Sequence, residues 1–260
     1  MRTAAVLLFA LSLPAQTPAG GVKFYSIEKE KALGAQLARE YRSRATLIDS
    51  PELLVRIEAI GGELVPAGSR YTYTFAVVDD DGILLNEPVA FPGGYIFVPS
   101  GLILAAQNRD ELAGMIAHAI AHVELRQGMV ANRAAIPLIY LGGWSGDSLR
   151  QGAVPAIPTS LVKSARAWEL EADLLGARLM SAKGYSPARL AGYIERLQPA
   201  DQDPPDARSP LPLRAQRVAA LRALPAPPAL EPPPFDLQSA QDLLRRALPE
   251  KPSAPPRLRR

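Results

Sequence analysis

Helical spacing of apolar residues dominates this chain, and one short region between the helices breaks it. From 26 to 47, "SIEKEKALGAQLAREYRSRATL" repeats apolar positions at three- and four-residue intervals and predicts an amphipathic helix. Ser26 stands at the N-cap, with acidic residues in the first turn that suit the helix dipole. Ser50-Pro51-Glu52 is a second start signal, because Pro is preset for the first helical position; that helix runs to about Leu64. The period then shortens. "RYTYTFAVV" (70–78) alternates Tyr71, Tyr73, Phe75 and Val77 against Thr72, Thr74 and Ala76, which predicts a strand with two unlike faces. Asp79 to Gly82 reads as a turn and "ILLN" as a second short strand. "FPGGYIFVPSG" (91–101) supplies a Pro-Gly-Gly turn, a strand over Tyr95–Val98 and another cap at Ser100.

Helical spacing then returns. One helix starts near Asn108, carries Asp110 and Glu111 in its first turn, and can end at Gly128. A second spans 161–184, and Pro187 opens a third. The apolar stretch 129–160 between them is broken by Gly and Pro. A segment covering a site and simple packing are both open readings of it. Beyond Leu224 the chain is proline-dense and reads as largely disordered, with an amphipathic stretch at 236–248 that can form a short helix.

Composition narrows the class. A chain of 260 residues with 48% hydrophobic and 21% charged residues builds a globular core. A net charge of +3 provides no electrostatic footprint for nucleic acid. The C-terminal "RLRR" reads as solvated charge, with contact to a membrane surface as the lesser alternative. The opening "MRTAAVLLFALSLPAQTPAGG" joins a basic start, an apolar run over Ala4–Leu13 and small residues at Ala15 and Ala19. That is the pattern of a secretory signal peptide, and its run is shorter than the ~20 residues that span a bilayer. The reading is an exported protein, periplasmic or secreted, with no transmembrane helix in the mature chain. Cysteine is absent, so stability outside the cell rests on the core and on any bound metal.

Candidate chemistry lies in "LAGMIAHAIAHVELRQG" (112–128). His118 and His122 are the only histidines in the chain. Four residues turn a helix through ~400°, so both rings leave one face about 6 Å apart along the axis. There they can share one divalent ion. The pair alone is a weak signal. "AWELEADLLG" adds Glu169 and Asp173, also four apart on one helical face and set among Leu170, Ala172, Leu174 and Leu175.

Taken together, "FPGGYIFVPSGLILAAQNRDELAGMIAHAIAHVELRQG" and "SARAWELEADLLGARLMSAKGYSPARL" resemble the HtpX-like and CAAX prenyl protease type of zinc metallopeptidase, peptidase family M48. The resemblance covers roughly 26–224. Its motifs are the Pro-Gly-Gly strand, the His pair, the Glu-x-x-Ala-Asp signature and the Gly-Tyr-x-Pro that follows. It implies an α+β, zincin-like fold, mostly helical, with a small three- to four-stranded sheet next to the His-x-x-x-His helix. It implies a gluzincin site in which His118, His122 and Glu169 bind Zn2+ and Asp173 orients a ligand imidazole. The strand of Tyr95, Ile96, Phe97 and Val98 would be the edge that receives an extended peptide, although Tyr95 can equally well simply pack. The expected organisation is a signal peptide over 1–19, a metallopeptidase-like domain over 20–224 and a Pro/Arg-rich tail over 225–260.

The departures change the picture. Family members carry glutamate after the first histidine, as the general base; here the position is Ala119, and a methyl group moves no proton. Glu124 is ~140° around the helix from Ala119, and Glu111 lies roughly 10 Å along the axis from His118, so neither obviously substitutes. The family's His-Pro ahead of an arginine is Leu211-Pro212 ahead of Arg217. "NEPVAF" also departs from the usual asparagine-led form, and no role is carried over to Asn86. The expectation is an exported zinc metalloendopeptidase-family protein acting on peptide bonds of envelope or misfolded proteins with impaired catalysis. The alternative is a non-catalytic zinc-binding pseudopeptidase that binds unfolded chains or partner proteins.

Overall fold

The structure is a computed structural model and describes residues 26–79, 86–127, 130–131, 137–138, 159–201, 209 and 211–249. The signal-peptide segment, residues 83–85 of the strand read at "ILLN", and most of 129–160 lie outside the described residues.

Capping signals placed the first helices well. Helix α1 covers Ile27–Arg42, and Ser26 accepts from the Lys29 amide at 3.3 Å. It stops short of the predicted end at 47. Helix α2 covers Pro51–Leu64, with Pro at its start. Strands β1 (Thr74–Val78), β2 (Val89–Phe91) and β3 (Tyr95–Pro99) form one sheet in the order β1-β3-β2, with β1 parallel and β2 antiparallel to β3. The tight return into β3 uses Gly94 at φ +99, where a Cβ would stand 2.7 Å from Thr72 O. Only glycine fits there.

The first strand does present two unlike faces. Phe75, Val77, Ile96 and Val98 pack into the main core with α2, whereas Ala76, Val78, Val89, Phe91 and Phe97 form a second cluster with Ala38. Ala76 belongs to that second cluster beside α1, whereas Thr72 and Thr74 stay exposed. A correction follows from strand order. The segment predicted as the peptide-accepting edge, Tyr95–Val98, is the middle strand. Both of its backbone rows pair with neighbours, and Ile96, Phe97 and Val98 are buried, so no further strand can add to it.

Helix α3 (Ser100–Ala105) follows directly. The Ser100 hydroxyl donates to Asp79 Oδ1 at 3.1 Å instead of capping the helix. Helix α4 (Arg109–Glu124) is capped by Asn108, whose side chain accepts from the Glu111 amide at 3.0 Å, and it is enclosed from Glu111 to Val123. Its end is set by Arg126 at φ +57 rather than by Gly128, which lies outside the described residues. Val130–Ala131 (β4) and Pro137–Leu138 (β5) pair as a small ladder. Helices α5 (Thr159–Ser181), α6 (Pro187–Leu197) and α7 (Arg214–Arg222) complete the bundle. The fold is α+β and zincin-like, mostly helical, with its small sheet against α4.

The amphipathic stretch read at 236–248 forms a helix, and that helix packs on the core. Helix α8 (Leu237–Ala247) buries Ala240, Leu243 and Leu244 in the main core. Those positions repeat at i, i+3 and i+4, so one face is apolar and packs on α2 and α3. Gln241 Nε2 donates to the Ile103 and Ala106 carbonyls at 2.9 and 3.0 Å, satisfying the end of α3. No described helix is long and apolar enough to cross a membrane.

Candidate metal centre

Helices α4 and α5 make the site. Their crossing is close because α5 presents Gly176 to α4; a Cβ there would lie 2.8 Å from His118 N. With the axes that near, Glu169 and Asp173 reach the two imidazoles from the neighbouring helix. The Nε2 atoms of His118 and His122 are 2.9 Å apart. Glu169 Oε2 lies 3.3 Å from His118 Nε2, and Glu169 Oε1 lies 3.6 Å from His122 Nε2. A tetrahedral ion with bonds of ~2.1 Å has ligand–ligand edges of about 3.4 Å. The three donors therefore stand at nearly the spacing such an ion sets, and all three residues are buried.

Hydrogen bonding fixes which nitrogen faces inward. Gln127 Nε2 donates to Glu171 Oε2 at 2.9 Å, so its Oε1 is the end that meets His122 Nδ1 at 2.8 Å. A carbonyl oxygen only accepts; His122 Nδ1 carries the proton and Nε2 presents its lone pair. His118 Nδ1 lies 3.0 Å from Asp173 Oδ1, not aligned as a linear hydrogen bond but close enough for a strong ionic attraction. Asp173 is held in turn by Arg217 from α7, whose Nε donates to Oδ2 at 2.7 Å and Nη2 to Oδ1 at 2.8 Å. Arg217 is fully buried and also meets Gln198 Oε1 at 3.2 Å and Glu87 Oε1 at 3.3 Å.

The electrostatics demand positive charge at this point. Burial opposes a charged imidazole, but the Asp173 and Glu169 carboxylates outweigh it and raise His118 to about 10. Burial pushes His122 down to about 4, against the pull of Glu169. Burial favours a neutral Glu169, yet His122, His118 and Arg217 hold it down to about 2. Asp173 is lowered in the same way, burial being overcome chiefly by Arg217. Two imidazole nitrogens and a carboxylate around one buried point suit a borderline-soft divalent ion, and the donor set fits the group.

A model of peptidase family M48 matches residues 68–225, a stretch that holds the whole donor set. The chain belongs to that family. Among curated proteins, it is 28% identical to the beta-barrel assembly-enhancing protease of Yersinia pestis over 76% of this chain and 44% of that one. The Escherichia coli K12 protein of the same name is 26% identical over 66% of this chain and 38% of its own. The mitochondrial metalloendopeptidase OMA1 of Schizosaccharomyces pombe is 31% identical over 44% and 36%. The chain spans less than half the length of these relatives. Family M48 is a metal-dependent peptidase family, which accords with the convergent His-His-Glu set.

The structure brings His118, His122, Glu169 and Asp173 together, and it keeps Tyr95, Ile96, Phe97 and Val98 out of the edge position. Ala119 is buried within the main core. Glu124 accepts from Ser69 and Tyr73, the latter at 2.7 Å, and Glu111 accepts from Arg196 at 2.8 Å. Sequence reasoning missed Gln127, Glu171 and Glu87. Gln127 comes into place because Arg126 adopts the left-handed region, pinned by Glu30 at 2.6 Å, and folds the chain back beneath His122. Such a return is invisible to periodicity. If Gln127 orients His122 for an ion, Gln127→Leu lowers Zn2+ affinity by roughly 10–100-fold. Competition with a chromophoric chelator measures this, and an unchanged affinity removes Gln127 from the site.

Proposed function

We propose that this chain is an exported zinc metalloendopeptidase-family protein acting on peptide bonds of envelope or misfolded proteins, with catalysis impaired at Ala119. The observation that carries the reading is the convergence of His118 Nε2, His122 Nε2 and Glu169 on one buried point. Zinc is preferred over magnesium or calcium because two of the three donors are imidazoles. When bound, the ion polarises a water and the scissile carbonyl. His122 is held for this by Gln127, and His118 by Asp173 and Arg217. Ala119 contributes no atom that can take the proton of the attacking water. The envelope assignment is supported by the names of the relatives, beta-barrel assembly-enhancing proteases, and by the signal-like N-terminus.

Ala119 and Leu211 favour a second reading: a zinc-holding pseudopeptidase that binds unfolded chains or partner proteins without cutting them. Leu211 is buried where the family often has a histidine, and it brings no polar atom to the site. Metal analysis beside a casein-cleavage assay, with and without chelator, separates the readings. About one zinc per chain with slow, chelator-sensitive cleavage supports the peptidase. Zinc without cleavage favours the second reading. Absence of zinc sinks both.

A further inference from the structure

Arg217 holds a second buried acid besides Asp173. Glu87 precedes β2 and is 3% exposed. Its Oε1 lies 3.3 Å from Arg217 Nη1, and its Oε2 has no hydrogen-bond partner among the described residues. The opposite end of the same guanidinium, Nη2, lies 4.0 Å from Glu169 Oε2. Arg217 thus places Glu87 and the metal-facing carboxylate on adjacent sides of one flat group.

The local sequence holds Glu87 rigidly. Asn86 sits at φ +50, a region that asparagine tolerates better than most residues, and its side chain bonds Tyr193 of α6. Pro88 restricts the backbone of the residue before it to extended conformations. "Asn-Glu-Pro" therefore turns the chain and fixes the acid in one direction. A buried carboxylate oxygen without a partner is destabilising, and an atom kept in that state calls for an explanation in function.

We propose that Glu87 is the proton carrier of this site, taking the role that Ala119 cannot fill. The proposal rests on the metallopeptidase reading above. Glu87 Oε2 accepts one proton from the attacking water as the water oxygen bonds to the scissile carbonyl carbon. The same proton passes to the amide nitrogen as the C–N bond breaks, giving a carboxylic acid and an amine, and Glu87 returns to its carboxylate form. Groups from four helices face it: Arg217, Glu169 and Asp173, His118, and Tyr193. Burial raises its carboxyl to about 7, aided by Glu169 and opposed by Arg217. A base poised near neutral pH suits proton transfer there. A bound dication lowers that value, so the acid limb of the rate profile has its midpoint at or below about 7, with activity rising as Glu87 loses its proton.

Glu87→Gln is isosteric, still accepts from Arg217, and cannot take a proton. The expected result on the full-length, zinc-loaded chain is a loss of residual peptide hydrolysis by roughly 10²-fold or more and disappearance of that acid limb, with zinc content unchanged. In an Ala119→Glu background the same change costs less than tenfold, since a second base is present. A readout independent of turnover is the visible spectrum of the Co2+-loaded protein against pH, in which Glu87→Gln moves the midpoint by roughly one unit or more. A wild-type rate and pH profile in Glu87→Gln overturns the proposal, and so does an unmoved Co2+ midpoint. A chain that binds no metal overturns the metallopeptidase reading as well. One that binds metal and cleaves indifferently to Glu87→Gln overturns only this step.

Discussion

His118→Ala abolishes stoichiometric zinc binding. Its Nε2 is the donor nearest to both other ligands, 2.9 Å from His122 Nε2 and 3.3 Å from Glu169 Oε2, so its removal leaves an edge where there was a face. Losing an outer partner of a ligand costs about 10–100-fold in affinity, and losing the ligand itself costs more. The remaining imidazole and carboxylate do not fill a tetrahedron. The check is metal content after dialysis, with chelator competition alongside. Stability supplies a second reading of the same event. A ligand bound only by the native chain raises its stability by RT ln(1 + [L]/Kd), so wild type melts at a lower temperature when chelator is added. His118→Ala melts at one temperature with or without it. Retention of about one zinc per chain in the variant removes His118 from the ligand set.

How much of this could be read from the residues depends on whether a partner is near in sequence. The pair of histidines four apart, and Glu169 with Asp173 four apart, announce two helical faces, because the helix itself fixes both spacings. That these faces meet is a tertiary fact, made possible by Gly176, a residue whose missing side chain lets α5 lie on His118. Glu87 reaches the site over 130 positions of sequence from Arg217, and nothing local says so. Gln127 depends on a left-handed residue that is arginine rather than glycine, so no turn signal marks it. The Tyr95–Val98 strand was misplaced for a different reason. Its unbroken apolar run, Ile96-Phe97-Val98, is the mark of a strand covered on both faces, and a resemblance to a peptide-binding edge outweighed it. In α8 the amphipathic stretch was legible at 236–248, but the docking of Ala240, Leu243 and Leu244 on the core was not, because the proline-rich flanks read as disordered.

The larger gain is expected from Ala119→Glu, which raises the rate of unfolded-substrate cleavage by roughly tenfold or more over a site that relies on Glu87. One residue past His118, the new carboxylate leaves α4 ~100° around from that ring and within a side chain's length of the centre. Ala119 is 1% exposed, so the acid enters a packed and dehydrated place. It joins Glu169, Asp173 and Glu87 against a single buried guanidinium, and the site then depends on a dication for balance. Two consequences follow from that crowding. The variant is less stable than wild type when chelator is present, by about 1–3 kcal/mol for the added volume alone, and zinc restores more stability to it than to wild type. Ala119→Gln separates bulk from chemistry, because it fills the same space and carries no proton. Cleavage that rises with glutamate and not with glutamine assigns the impairment to the lack of a carboxylate at position 119. Equal rates in wild type, Ala119→Glu and Ala119→Gln, with zinc bound in all, place the deficit elsewhere. The buried Leu211 is then the next position to change, since it is the other place where this chain carries hydrocarbon and the family often carries an imidazole.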